Sequence, residues 1–231
     1  MKMLIISDIH ANWNALQAIN ETADLIVCLG DLVDYGPSPA ECVSWARAHA
    51  DVIVQGNHDH AVGYGADPQC NAAYREMALA TRDICMRILR ENDKEYLRSN
   101  PREISFEFGG KRFYAVHASP IDPLHRYLPN PLTEEVLAKE VETVDADVIL
   151  MGHTHLPSIF HIQGKTVINP GSAGQPKQGD PRASYAVWED GAARLRKTEY
   201  PVEKTIRQIE TMPMEKAFIA RLAEILRTGR K

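Results

Sequence analysis

Five short apolar runs in this chain are each followed, within a few residues, by side chains that can ligate a metal. Ile5-Ile6 leads to Asp8 and His10, and Cys28-Leu29 leads to Asp31. Ile53-Val54 leads to Asn57, His58 and Asp59, Ala115-Val116 to His117, and Leu150-Met151 to His153 and His155. Short apolar runs bounded by turn residues read as buried strands. Parallel strands of one sheet end on the same edge, and such edges hold the binding sites of α/β folds. A chain patterned in this way is expected to gather residues from across its first 155 positions at one spot.

The intervening sequence supports strands covered by helices. Strands over 3–6, 25–29 and 52–54 alternate with helices over 15–22 and 39–48, a βαβαβ order that predicts a parallel sheet. Residues 61–100 break this rhythm. Tyr74, Met77, Thr81, Ile84 and Ile88 share one face of a long helix, and Asp93 is placed to cap a shorter one before Pro101. Hairpins follow over 104–116, turning at Gly109-Gly110, and over 158–168, turning at Gly164. A helix over 133–143, strands over 148–151, 184–188 and 194–198, and a closing helix complete the pattern. The closing helix carries Ala217, Ile219, Leu222, Ile225 and Leu226 on its apolar face, and the basic tail over 227–231 reads as a solvated helix end.

Composition narrows the function classes. The 231 residues suit one domain, and 26 Lys plus Arg against 31 Asp plus Glu give a net charge of -5. That balance argues against general nucleic-acid binding, which needs excess cations to displace phosphate counterions. A phosphate can still be bound if a metal supplies the positive charge. The apolar runs are too short to span a membrane, and Asp8 and His10 come too early for a secretory signal. Cys28, Cys42, Cys70 and Cys85 show no C-x-x-C spacing, as expected of reduced thiols in a cytoplasmic protein. Nothing in the sequence sets an oligomeric state.

A lone Asp-x-His or His-x-His is usually a turn or a surface pair; the conjunction of blocks is what points to a metal centre. Asp8, His10, Asp31, Asn57, His117, His153 and His155 offer carboxylates, imidazoles and one amide oxygen, more donors than one ion takes. Two divalent ions sharing a carboxylate fit this set, with Asp31 as the natural bridge. Mixed nitrogen and oxygen donors suit Mn²⁺, Fe, Zn, Co or Ni better than Mg²⁺, and Mn²⁺ is favoured. His49, His60, His125 and His161 lack the strand-end context and read as structural or surface residues, with His125 and Arg126 near enough to His117 in sequence to be secondary candidates for substrate contact.

Asp8-Ile9-His10, Gly30-Asp31-Leu32-Val33-Asp34, Gly56-Asn57-His58-Asp59, His117 and Gly152-His153-Thr154-His155 resemble the signature blocks of the calcineurin-like metallophosphoesterases. Asn169-Pro170-Gly171-Ser172 and Ser184-Tyr185-Ala186-Val187 are similar to the bacterial phosphodiesterase-like branch. The resemblance implies an α/β (α+β) fold, a two-sheet β-sandwich flanked by helices. It spans one domain over 1–231, with 61–100 as a helical insertion or cap. It also implies a dinuclear site, with Asp8, His10, Asp31 and His155 around one metal and Asp31, Asn57, His117 and His153 around the other. In one departure, family phosphatases acting on phosphoproteins carry Arg after the second Asp of the Gly-Asp block, where this chain has Tyr35. Arg182 could act as a substitute cation, although a solvated loop arginine is the favoured reading.

The reaction expected from this resemblance is hydrolysis of a phosphoester or phosphoanhydride, with two cations acidifying a shared water. His58 is placed to protonate the leaving oxygen, with Asp34 holding its other ring nitrogen and Asp59 supporting the ligands from behind. Gly30 and Gly56 let the backbone pass close to the metals. The expected substrate is a small phosphorylated molecule, a nucleotide-like phosphodiester or a dinucleoside polyphosphate. Broad phosphomonoesterase or phosphoprotein phosphatase activity is the alternative, and a non-enzymatic scaffold is disfavoured because no ligand is missing. Segment 61–100 either covers one side of the site, with Arg75 and Arg82 reaching substrate, or only packs; the sequence weighs these equally.

Overall fold

The computed structural model describes residues 1–230. Strands β1 (Lys2–Ile6), β2 (Leu25–Cys28) and β3 (Val52–Ile53) alternate with helices α1 (Trp13–Ala18) and α2 (Pro39–His49). Helices α3 (Asn57–Tyr64), α4 (Arg75–Ile88) and α5 (Glu91–Ser99) follow. The chain continues through β4 (Glu103–Phe108), β5 (Lys111–Val116), α6 (Glu134–Val141), β6 (Val148–Leu150), β7 (Ser158–Ile162) and β8 (Lys165–Asn169). It closes with β9 (Ala183–Glu189), β10 (Ala192–Thr198), α7 (Val202–Ile209) and α8 (Lys216–Thr228).

The strands form two five-stranded sheets, ordered β10-β9-β1-β2-β3 and β4-β5-β6-β8-β7. Each has three parallel strands, β1-β2-β3 in one and β5-β6-β8 in the other, with antiparallel partners beside them. Side-chain alternation explains why these strands read as continuous apolar runs. Met3, Ile5, Val27 and Leu29 point between the sheets, where they meet Phe113, Ala115, Val148, Leu150 and Ile168. Leu4, Ile6 and Cys28 point the other way, under Cys42, Val43 and Ala46 of α2 and Leu97 of α5. Val116, Ile149, Met151 and Val167 face Leu137 and Val141 of α6. The result is two mixed sheets flanked by helices, the sandwich expected from the resemblance. The five ligand-bearing runs are divided three and two between the sheets, not gathered in one as the strand-end pattern suggests. They converge because the sheets stack with those ends at a common edge.

Several boundaries differ from the sequence reading for local reasons. Helix α1 starts early because the Asn12 side chain accepts from the Ala15 N–H and caps it, and it ends early at Ala18, where Ile19 turns to extended backbone. Asp93 caps α5 from the third helical position, where its carboxylate accepts from the N–H of the N-cap residue Arg90. Ile88, at the last turn of α4, is exposed, and Ala217 is exposed while Phe218 packs inward. Helix α7 has no counterpart in the sequence reading, although Val202, Ile206 and Ile209 stand at helical spacing; Ile206 and Ile209 bury against α8. In the basic tail, Arg227 pairs with Glu203 at 2.7 Å, and Lys231 lies outside the described residues. Among the described residues, no helix is long and apolar enough to cross a membrane.

Candidate metal centre

The loops after β1, β2 and β6 leave their strands in an unusual backbone conformation. Asp8, His10, Ala11, Asp31, Asp34, Tyr35, His153 and His155 all have positive φ, eight of the eleven non-glycine residues that do so among the described residues. The left-handed region costs an L-residue roughly 1–2 kcal/mol, less for Asp and Asn. It persists where surrounding bonds over-determine it. Here the Asp8 N–H donates to Gly30 O, the His10 N–H to Asp31 O and the Ala11 N–H to Leu32 O, at 2.8–3.0 Å. Within the second sheet the loops after β5 and β6 are tied the same way, with the Gly152 N–H on His117 O at 2.7 Å, and the loop after β8 joins the first sheet through the Gly174 N–H on Asp8 O at 3.0 Å. Gly56 is required for close approach, because a Cβ there would run into the Asp31 carboxylate.

The side chains converge as two triads, Asp8 with His10 and His155, and Asp31 with His117 and His153, all buried. Oδ1 of Asp8 lies 3.2 Å from Nε2 of His155, which is 3.1 Å from Nε2 of His10. Nε2 of His117 lies 3.1 Å from Oδ1 of Asn57 and 3.2 Å from Nδ1 of His153. Oδ2 of Asp31 stands between the triads, 3.7 Å from Nε2 of His10 and 3.3 Å from Nε2 of His117. All seven residues singled out from sequence therefore meet.

The donor set fits divalent cations. Nδ1 of His10, His117 and His155 hydrogen-bonds the backbone carbonyls of Val33, Leu29 and Gln175 at 3.0, 2.6 and 2.5 Å. That fixes each ring with Nε2 turned inward, the arrangement found behind metal-ligating imidazoles. The Asn57 amide is fixed likewise: Nδ2 donates to Pro68 O at 2.6 Å, leaving Oδ1 for the cluster. Oδ1 of Asp8 is buried without a hydrogen-bond partner, which a cation would remedy. Burial lowers the pKa of His10, His153 and His155 and keeps them in the neutral, ligating form. Burial alone would raise Asp8 and Asp31, but the imidazoles of His155 and His117 outweigh it and hold both carboxyls low. His117 is the exception: burial opposes its charge, yet Asp31 beside it raises its pKa to about 9.

His58 and Asp34 lie at the edge of this cluster. Nδ1 of His58 is 2.7 Å from Oδ2 of Asp34, and its Nε2 is 3.5 Å from the Tyr35 hydroxyl. Burial would lower the His58 pKa, but the carboxylates of Asp31 and Asp34 prevail and raise it. Asp59 takes the place expected of it: its carboxylate accepts from the backbone N–H groups of Asp31, Leu32 and Gly56 at 2.8, 2.8 and 3.1 Å.

Above the cluster is a cleft lined by Asp31, His58, His153 and His155 together with Tyr35, Tyr74, Tyr127 and Lys177. Lys177 was not found from sequence. Its Nζ lies 3.4 Å from Nε2 of His155 and 5.0 Å over the Tyr74 ring. The available signal was its place in the loop after Asn169-Pro170-Gly171-Ser172, whose Ser172 hydroxyl donates to Asp8 O. Arg182, weighed from sequence as a substitute cation and read as a solvated loop residue, pairs with Asp180 at 2.7 Å. Arg126 pairs with Glu140 at 2.6 Å, and neither it nor His125 lines the cleft. Tyr127, two residues past His125, does line it, with its ring centroid 3.9 Å from that of His153. Segment 61–100 contributes Cys70, Asn71 and Tyr74. Arg75 and Arg82 are committed elsewhere, Arg75 to Asp67 and Arg82 to Asp83 and the Ala66 carbonyl.

Residues 1–190 match the model of the calcineurin-like phosphoesterase superfamily domain. A metallophosphoesterase of Sphaerobacter thermophilus is 31% identical, with a TM-score of 0.80, over 96% of this chain and 99% of that one. A hypothetical protein of Pyrococcus horikoshii has the same fold, at 19% identity and a TM-score of 0.84, over 100% and 99% of the two chains. An uncharacterized protein of Methanocaldococcus jannaschii is 30% identical over 89% of this chain and 90% of its own length.

Proposed function

Since the chain belongs to the calcineurin-like phosphoesterase superfamily and is a metal-dependent phosphoesterase, we propose that it hydrolyses small phosphodiesters of nucleotide-like structure at a dinuclear centre, Mn²⁺ being the favoured ion. The observation that supports this most is Asp31, whose carboxylate stands between two Asp/His triads directly below the cleft. Asp8, His10, Asp31 and His155 are assigned to one ion, and Asp31, Asn57, His117 and His153 to the other. Bound there, the ions supply Lewis-acid chemistry, acidifying water and neutralising phosphoryl oxygens.

The remaining work falls to the chain's own residues. Nε2 of His58 is the atom assigned to protonate the leaving oxygen, and Asp34 on Nδ1 keeps the ring in the required orientation. The raised pKa of His58 keeps a proton available for transfer. Lys177 is assigned a phosphoryl oxygen on the His155 side of the cleft. Tyr35, buried where phosphoprotein phosphatases of the family carry Arg, offers a hydroxyl and no charge, and this supports a small diester over a phosphoprotein. We read segment 61–100 as one wall of the substrate cleft, through Cys70, Asn71 and Tyr74, and as the positioner of Asn57 through Pro68. Four free cysteines, three of them buried, agree with a cytoplasmic location.

Metal analysis of the purified protein, followed by assay on bis-p-nitrophenyl phosphate and p-nitrophenyl phosphate with Mn²⁺, tests this reading. Two ions per chain and a higher kcat/KM on the diester are expected. Hydrolysis of the monoester alone would establish a phosphomonoesterase. A screen of nucleotides, cyclic nucleotides, dinucleoside polyphosphates and phosphopeptides then identifies the substrate.

A further inference from the structure

A second cavity adjoins the metal cleft. It has a volume of about 310 Å³, near the small end of the range of about 300–1,000 Å³ that small-molecule sites occupy. Its apolar walls come from Leu128 and Leu132 on the loop before α6, Met151 and Leu156 around the His153 block, Phe160 on β7 and Val167 on β8. Leu128, Asn130, Thr154 and Leu156 line both the cavity and the cleft, so the two spaces are continuous.

The two spaces differ in charge. Asp31, His58, His153, His155 and Lys177 line the cleft, whereas among the described residues no Asp, Glu, Lys, Arg or His lines the cavity. A second phosphate or a carboxylate entering the cavity would lose its hydration with no counter-charge to replace it. An uncharged group gains by leaving water there. Pro131, Pro157 and Phe160 present rigid, flat faces that suit a ring better than a flexible chain. Asn130, Thr154 and Ser158 add polar edges, the usual complement of an apolar small-molecule site.

We propose that this cavity receives one flat, uncharged ring of the substrate, of nucleobase or aryl type, while the phosphoryl group lies at the Asp/His cluster. The assignment rests on the phosphoesterase reading and adds to it the chemical character of the group next to phosphorus. It also places specificity on the loop carrying Leu128 and Leu132 as well as on segment 61–100.

The test is binding of non-hydrolysable or product-like ligands to the Mn²⁺-loaded protein by calorimetry, using methylphosphonate, phenylphosphonate and thymidine 5′-monophosphate. At least one ring-bearing ligand is expected to bind tenfold or more tightly than methylphosphonate. Preference for thymidine monophosphate alone marks a nucleobase read by the polar edges, and preference for both marks a general ring site. Leu132→Trp and Ser158→Trp fill the cavity from different walls, and the ratio of ring to methyl affinity is expected to fall to within threefold in each. Equal affinities in the wild type, or a ring preference that survives in a folded filled variant, would overturn the assignment. Hydrolysis of methyl p-nitrophenyl phosphate by the wild type is scored separately. Its absence counts against the phosphoesterase reading and leaves the ring preference measurable.

Discussion

Nδ1 of His58 lies 2.7 Å from Oδ2 of Asp34, which leaves Nε2 as the ring nitrogen directed to the cleft. His58 is in neither triad, so His58→Ala is expected to keep its metals and to lose proton delivery. General acids supply about 10²–10⁴ in rate, and the share lost depends on the leaving group. A nucleoside alkoxide should suffer the full loss and a nitrophenolate, stable as an anion, a much smaller one. The check is kcat/KM on both ester types with metal content measured. Equal losses with metals intact would mean that His58 instead steadies the phosphoryl oxygens, and lost metal would make it a ligand. Asp34→Asn should follow in the same direction but more weakly.

Asp31→Ala removes the carboxylate nearest both triads. Metal content is expected to fall from two ions per chain to fewer than one. Loss of several kcal/mol of charge stabilisation corresponds to about 10³ in kcat/KM. Elemental analysis of protein purified with Mn²⁺ decides it: two retained ions with near-normal turnover would remove Asp31 from the centre.

Lys177→Ala is expected to raise KM for phosphodiesters about tenfold to a hundredfold with metals bound, since a charge-assisted hydrogen bond contributes about 1.5–3 kcal/mol. Lys177→Arg should recover part of that loss. Arg182→Ala is the control, because its guanidinium is held by Asp180. The opposite ranking of the two alanine variants would return the anion-binding role to Arg182.

Asp59→Asn places an amide where one carboxylate serves three backbone donors, those of Asp31, Leu32 and Gly56. At least one N–H then faces another donor, at a cost of about 1–3 kcal/mol. In a chain of this size each kcal/mol lowers Tm by about 2–4 °C. Thermal unfolding with chelator present measures the structural part alone, and an unchanged Tm would show that the loops are held by other means.

The seven donors of the cluster were legible because their signal is chemical and local: a donor just past an apolar run. Reading Asp34 beside His58 rested on the resemblance to the family's signature blocks. Lys177 was missed by the same method, since it follows no apolar run, and its only signal was its place in the loop after Ser172, which folds over the site. The pair that Arg182 makes with Asp180, two residues away, cannot be read from spacing, and it agrees with the sequence reading of Arg182 as a loop arginine outside the site. The central strands β1, β6 and β9 were legible because burial on both faces makes them continuous apolar runs, and the edge strands β4 and β10 because they alternate. Partition between two sheets did not follow from the strand ends, because β5 and β6 carry the same kind of apolar run as β1 and β2. Helix α7 was passed over although Asn14 reaches it, donating to Thr205 and Gln208 at 3.0 and 2.7 Å; a contact nearly two hundred positions away leaves no local trace.

The left-handed backbone at Asp8, His10, Asp31, His153 and His155 bears on how this protein can change over generations. Glycine adopts that conformation without penalty, so at these positions conformational ease and chemistry favour different residues. A library of this gene selected only for heat resistance in chelator is expected to accept glycine at His10, His153 and His155 sooner than at Asp8 and Asp31, whose carboxylates also hold the buried N–H groups of His153 and His58. Inheritance of a working centre therefore requires continuous selection for turnover, and a lineage released from it would drift toward a sturdier protein of the same shape with no catalytic past visible in its activity.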